Sequence, residues 1–127
     1  MSESTLGLRH GPMAALDDDA LFVSFLSIDP VRRKYEMDLL KEIRNKGLGR
    51  IRLAIAPEPI CGLNALVDHA FVLNAPVGFG DDYRPPVDII LAQLLGLFSS
   101  MAAGLKPDCP SPSGTISRVV SHVNIYS

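Results

Sequence analysis

The tetrapeptide Arg-His-Gly-Pro at residues 9–12 carries side chains suited to acid–base chemistry and to anion recognition. Gly11 and Pro12 constrain the backbone, so we expect His10 to lie on a fixed loop outside any regular element. A histidine in such a position can act as an acid or a base near neutral pH. Arg9 offers a planar fork suited to a carboxylate or a phosphate. The residues alone favour a catalytic loop and a surface loop without a task about equally.

Other candidate sites are weaker. The three histidines and two cysteines have no metal-ligand spacing, so no metal is expected. The GFG segment at 78–80 lacks the third glycine and the helix start of a dinucleotide motif, and no cofactor is expected. The acidic run at 17–19 is interpreted as a solvated turn rather than a cation site. The basic run at 31–34 is interpreted as a solvated helix face rather than a phosphate site.

The composition is that of one globular domain. The chain has 127 residues, of which 47% are hydrophobic and 20% charged. A formal net charge of -2 gives no reason to expect nucleic acid as a partner. Two cysteines without CxxC spacing favour reduced thiols and a cytoplasmic location. The most apolar segment, 89–105, has 17 residues. A membrane span needs about 20, so the segment is interpreted as a buried helix.

Hydrophobic patterning predicts the elements that position the tetrapeptide. Residues 21–26 form a nearly continuous apolar run, typical of a strand buried on both faces. Asp29 and Pro30 then provide an N-cap and a first helical residue. An apolar stripe follows at every fourth position of the predicted helix: Val31, Tyr35, Leu39 and Ile43.

Further strands are predicted at 50–56 and 69–74, and a long apolar helix at 86–105. This order predicts an α/β fold with three parallel strands and helices between them. Typical sheets have about 5–6 strands, and each predicted strand has the composition of one buried on both faces. We therefore expect the sheet to continue on at least one side.

Four motifs together resemble one known family: RHGP, the DP helix start, GLKPD and GTISRVV. Over about residues 4–126 the chain is similar to the second sugar-isomerase (SIS) domain of the tagatose-6-phosphate ketose/aldose isomerases, also described as galactosamine-6-phosphate deaminase/isomerases. The resemblance implies a three-layer, parallel-sheet SIS-type fold. It identifies 1–127 as a partial SIS domain, with an active-site loop at 1–18 and a C-terminal arm at 106–127.

The resemblance also implies a function. The family interconverts aldose and ketose sugar phosphates, or removes ammonia from an amino-sugar phosphate. His10 is the implied catalytic residue that helps to open the sugar ring, with Arg9, Arg118 and Ser121 as substrate-binding residues. A more distant relative, the isomerase part of glucosamine-6-phosphate synthase, has a lysine near the position of Ser121, so no Schiff base is expected here. The alternatives are a non-catalytic sugar-phosphate-binding module and an interaction protein.

The resemblance further implies that the chain is truncated at its N-terminus. Family members carry an upstream SIS domain, then a strand and a helix whose glutamate moves the proton between carbons 1 and 2. We expect no turnover without them. The expected partners are a phosphorylated sugar and either further copies of the chain or an upstream SIS half, with no nucleic acid and no membrane. The edge of the strand at 21–26 is expected to pair with a second copy or with an exchanged, extended arm at 1–8.

Overall fold

A computed structural model of the protein describes residues 3–106 and Ser113. The chain divides into two compact units, Met1–Pro85 and Pro86–Ser127. The described helices are α1 (Thr5–Arg9), α2 (Pro30–Asn45) and α3 (Pro85–Ala102), and the strands are β1 (Leu21–Phe25), β2 (Ile51–Ala56) and β3 (His69–Val72). Short 3₁₀ turns lie at Pro12–Ala15, Leu63–Ala65 and Asp81–Tyr83.

The three strands form one parallel sheet in the order β1-β2-β3. Leu21 pairs with Ile51, and Leu53 pairs with His69. The predicted α/β class with a parallel sheet is therefore confirmed. The central strand β2 contributes three consecutive buried residues, Ala54–Ala56, to the core.

The two outer strands are less buried than the sequence indicates. Leu21 and Phe25 on β1 are 47% and 42% exposed, and Phe71 on β3 is 52% exposed. The prediction that every strand is buried on both faces is therefore wrong for β1 and β3. Within residues 3–106 each of these strands has a single neighbouring strand, β2, whereas β2 has a neighbour on both sides.

Helix α2 begins as the sequence predicts. Asp29 accepts hydrogen bonds from the backbone N–H groups of Val31 and Arg32 through Oδ1, at 2.9 and 2.8 Å. These bonds satisfy donors that the first helical turn leaves without partners. Pro30 occupies the first helical position, where no N–H is needed.

Only the second half of the predicted apolar stripe on α2 is buried. Leu39 and Ile43 are buried, together with Leu40, whereas Val31 and Tyr35 are exposed. The buried residues of α2 pack into two apolar clusters, and neither cluster includes Val31 or Tyr35. The first cluster consists of Leu26, Leu40, Ala54, Ala56, Leu63 and Val67, and the second of Leu8, Met13, Leu39 and Ile43.

Helix α3 has no buried residue in the described structure. Ile90 and Phe98, for example, are 52% and 60% exposed. Over the described residues, α3 is therefore not the buried helix that the sequence predicts. The helix is long and apolar enough to cross a membrane by length and composition alone. Core helices of water-soluble proteins also meet these two criteria.

Candidate active site

His10 lies in a turn between two short helical segments. Its backbone N–H donates to the carbonyl of Gly7 at 3.1 Å and closes α1. Gly11 follows with φ +150° and ψ −51°, a conformation that side-chain-bearing residues rarely adopt. Pro12 then begins the first 3₁₀ turn. His10 thus lies outside the regular elements, as the sequence predicts, but short helical segments lie on both sides of it.

The helical conformation of α1 also corrects the expected arm. Thr5, Leu6 and Leu8 lie in α1 rather than in an extended strand. Ser4 caps this helix, since its Oγ accepts the Gly7 N–H at 3.0 Å. The idea of an exchanged β-arm at 1–8 is therefore wrong for the described residues.

The imidazole of His10 is exposed. No hydrogen bond or ion pair joins this side chain to any other described residue. The backbone on both sides of it is nevertheless fixed by the hydrogen bonds and by Gly11. His10 is thus a solvent-facing imidazole on an ordered turn, where its ring nitrogens are accessible to a molecule from solution.

Arg9 is engaged within the protein. Its Nε lies 3.1 Å from Oε2 of Glu42 on α2. The other oxygen of Glu42 accepts from the Lys46 ammonium at 2.6 Å. The hydrogen bond from Lys46, together with the charges of Lys46 and Arg9, lowers the pKa of Glu42. Arg9 therefore connects the His10 turn to α2, whatever else it binds.

Apolar contacts support the same turn. Leu8 and Met13, which lie on either side of His10, pack against Leu39 and Ile43 of α2. The second apolar cluster thus joins α1 and the first 3₁₀ turn to the C-terminal half of α2.

A second polar group lies where β1 ends, and we call it the β1-end cluster: Ser27, Glu36, Asp81 and Arg84 with the backbone of Leu26 and Ile28. The hydroxyl of Ser27 donates to Oδ2 of Asp81, and the N–H of Ile28 donates to Oδ1 at 3.0 Å. The guanidinium of Arg84 donates to Oδ1 of Asp81 at 3.1 Å and to the carbonyl of Leu26. Arg84 is only 3% exposed, so its charge depends on these partners.

Helix α2 supplies the remaining contacts of the β1-end cluster. Glu36 accepts the Ser27 N–H at 2.7 Å. Arg33 donates to the carbonyls of Ser27 and Ile28, each at 2.9 Å, and pairs with Glu58 at 2.8 Å. The sequence predicted that the basic run at 31–34 lies on a solvated helix face. This prediction is wrong for Arg33, because the end of β1 beside it offers backbone carbonyls as acceptors.

The pKa values of the two carboxyl groups in the β1-end cluster are shifted in opposite directions. Burial raises the pKa of Glu36, and the charge of Asp81 adds to that rise against the hydrogen bond from Ser27. Burial also acts to raise the pKa of Asp81, but hydrogen bonds from Ser27, Ile28 and Arg84 outweigh it and lower the pKa. Each oxygen of Asp81 has a donor, so the described geometry is that of a structural cluster.

Sequence reasoning missed the β1-end cluster. A usable signal was present, since Ser27 directly follows a buried-type strand and ligands of open α/β sheets bind at the carboxyl ends of strands. The contacts place this cluster against the N-terminal half of α2 and the His10 turn against its C-terminal half. The structure does not bring the two groups together. The predicted residues Arg118 and Ser121 lie outside the described residues.

Two further features bear on ligands. An open groove of about 490 Å³ lies beside α2, and neither His10 nor Arg9 lines it. It is lined by Pro30, Arg33, Lys34, Met37, Asp38, Ile60 and Cys61. Within residues 3–106 and Ser113, no three metal-binding side chains lie close enough to form a metal site.

Comparisons with known proteins give three informative relatives. A D-galactosamine-6-phosphate deaminase of Escherichia coli is 37% identical over 124 residues, which cover 98% of this chain and 32% of the relative. The crystal structure of a candidate tagatose-6-phosphate ketose/aldose isomerase from Clostridium novyi NT matches all of this chain and 33% of that one, with 34% identity and a TM-score of 0.85. The tagatose-6-phosphate ketose/aldose isomerase from Escherichia coli matches 94% of this chain and 30% of that one, with 32% identity and a TM-score of 0.75.

The chain spans about a third of the length of the curated relatives it matches. No family model matches the sequence. The similarity therefore concerns one segment of the relatives, and this segment includes the His10 turn and the whole described sheet.

We predict that Asp81→Asn destabilises the protein and that Asp82→Asn does not. An Asn side chain cannot accept hydrogen bonds from Ser27, Ile28 and Arg84 at the same time. The substitution also removes the carboxylate that pairs with the Arg84 charge. We expect the free energy of unfolding at pH 7 to fall by about 2–3 kcal/mol for Asp81→Asn and by less than about 0.5 kcal/mol for the exposed neighbour. Urea denaturation measures both.

The same pair of variants gives a pH test. The folded-state pKa of Asp81 lies below its unfolded value, so its stabilisation is fully present above the unfolded pKa of about 3.9. It is lost as the pH falls through the lower folded-state pKa. The difference between wild type and Asp81→Asn should therefore shrink below about pH 4. A difference that persists unchanged at pH 2 would contradict the assignment.

Proposed function

Because this chain is an SIS-type member of the family that contains these deaminases and isomerases, we propose that it contributes the ring-opening residue, His10, to a sugar-phosphate isomerase or amino-sugar-phosphate deaminase. The supporting observation is the exposed imidazole on a turn that is fixed on both sides. Such a group is free to exchange a proton with a ligand and does not need to be released from a protein partner first.

The proposed chemistry is general acid–base catalysis. Opening the cyclic sugar removes a proton from the anomeric hydroxyl and delivers one to the ring oxygen as the bond between that oxygen and carbon 1 breaks. An imidazole can do both near neutral pH. The later step moves a proton between carbons 2 and 1 and needs a further base. No described carboxylate contacts His10, so we assign that base to polypeptide beyond the described residues.

The substrate we propose is a phosphorylated sugar, and the chain binds it together with other polypeptide. Arg9, Arg118 and Ser121 are the proposed substrate-binding residues. For Arg9 this role adds to its contact with Glu42, since the Nε–Glu42 bond leaves the terminal nitrogens of the guanidinium available to an anion. We also propose a cytoplasmic location, because the exposed Cys61 is a free thiol and suits a reducing compartment.

The proposal of further polypeptide also accounts for the exposed edge of β1. An edge strand that carries exposed apolar side chains invites pairing with another strand. Leu21 and Phe25 are such side chains. We propose that a second copy of the chain or a separate SIS half covers this edge.

We predict that the chain alone shows no isomerase or deaminase turnover. The chain should gain turnover when it is mixed with the part of the Escherichia coli deaminase that it does not align to.

In that mixture His10→Gln should lower kcat by about 10²-fold, as loss of an acid–base group does, whereas Arg9→Lys should mainly raise KM. A coupled assay measures both. Equal kinetic effects of the two changes would contradict the assigned roles, and sugar-phosphate binding without turnover in the mixture would favour a binding module.

We predict that the chain is an oligomer at micromolar concentration and that its β1 edge is the contact. Light scattering measures the mass, and hydrogen exchange of the β1 amides reports the contact. Phe25→Lys places a charge on this edge and should shift the protein towards the monomer, whereas Tyr35→Lys, at an exposed position on α2, should not. If the wild-type protein is monomeric at every concentration measured, a second copy of the chain does not cover the β1 edge.

A further inference from the structure

The ion pair next to His10 differs in burial from an ordinary surface pair. The side chains of Arg9 and Glu42 are 29% and 32% exposed, whereas those of Arg50 and Asp19 in another ion pair are 73% and 81% exposed. Fully solvated pairs are screened and contribute little order. The Arg9–Glu42 pair is therefore less exposed to solvent screening than the Arg50–Asp19 pair.

Glu42 also influences the chain after His10. Lys46, which is bound to Glu42 at 2.6 Å, places its Nζ 3.7 Å from the sulfur of Met13. Arg9 lies one residue before His10 and Met13 lies three residues after it. One carboxylate on α2 thus connects to both sides of the turn, and its contacts with Lys46 and Arg9 lower its pKa.

The His10 turn needs such a connection because α1 has only five residues. Isolated helices of this length are unstable in water. Burial of Leu8 and Met13 attaches α1 to α2, but apolar packing is not directional. A charge-assisted hydrogen bond has a defined donor and acceptor geometry, so it can select one rotation of the turn.

We infer that Glu42 is a positioning residue for His10 and that it acts through Arg9; the inference rests on the proposed role of His10. The hydrogen-bond partners of the Glu42 carboxylate among the described residues are Arg9 and Lys46, not the imidazole. It fixes the rotation of the residue before His10, and so the direction in which the imidazole is presented.

Amide hydrogen exchange tests the inference without any substrate. The N–H groups of His10 and Ala14 are bonded to the carbonyls of Gly7 and Gly11 and report the order of the turn. In Glu42→Gln we expect both amides to exchange about 10-fold faster through local opening. The matched control is Asp38→Asn, an exposed carboxylate one turn earlier on α2, and it should change exchange by less than about 2-fold. Unchanged exchange in Glu42→Gln, or equal changes in both variants, would overturn the inference.

The route through Arg9 is tested by a double-mutant cycle. If Glu42 acts through Arg9, the variant that combines Arg9→Gln and Glu42→Gln should exchange no faster than the faster single variant. Additive effects would overturn this route. The unfolding midpoint and the exchange of the Leu40 amide within α2 should stay at their wild-type values, which separates a loosened turn from global unfolding.

Turnover gives a second readout that a merely structural role would not move. In the reconstituted mixture, Glu42→Gln should lower kcat by about 5-fold or more, because bound substrate meets a misdirected imidazole. KM should rise as well, because Glu42 holds Arg9, a proposed substrate-binding residue. A change in KM with an unchanged kcat would overturn the positioning role. If His10→Gln retains full turnover while Glu42→Gln still loosens the turn, the proposed function has failed and the structural contact remains.

Discussion

The burial of one helix against one strand determines most of the described structure. Leu40 of α2 is fully buried in the same cluster as Ala54 and Ala56 of β2. Because β2 is flanked on both sides, this contact fixes where α2 lies over the sheet. The N-terminal half of α2 then meets the end of β1 through Arg33 and Glu36, and the C-terminal half carries the His10 turn. Displacement of α2 would thus disturb both polar groups at once.

Local patterns were sufficient to predict the elements near α2. Asp29 and Pro30 define a helix start through bonds that span two or three residues, so the sequence alone predicts it. The apolar run of β1 likewise predicts a strand. The patterns do not show which apolar side chains are covered by other parts of the chain. Val31 and Tyr35 continue the stripe of α2 and are exposed, and α3 is apolar along its length without being buried.

Long-range polar contacts were the least predictable part of the site. Ser27 and Asp81 are separated by 54 positions, and no local spacing links them. The prediction for Arg33 was wrong for the same reason, because its acceptors are backbone carbonyls at the end of β1, which no local sequence pattern places beside it. The RHGP motif did predict a constrained histidine, because glycine and proline restrict the backbone locally. It did not predict the helical conformation of α1, which depends on docking against α2.

The assignment of His10 as the ring-opening residue can be measured apart from isomerisation. The α and β anomers of D-galactosamine 6-phosphate interconvert through the open chain, so a ring-opening group accelerates their exchange even where no proton moves between carbons 1 and 2. NMR exchange spectroscopy measures this rate in the reconstituted mixture, prepared with the wild-type chain or with His10→Gln. The wild-type protein should accelerate the exchange and His10→Gln should return it to the rate in buffer. Equal rates with the two proteins would contradict the assignment.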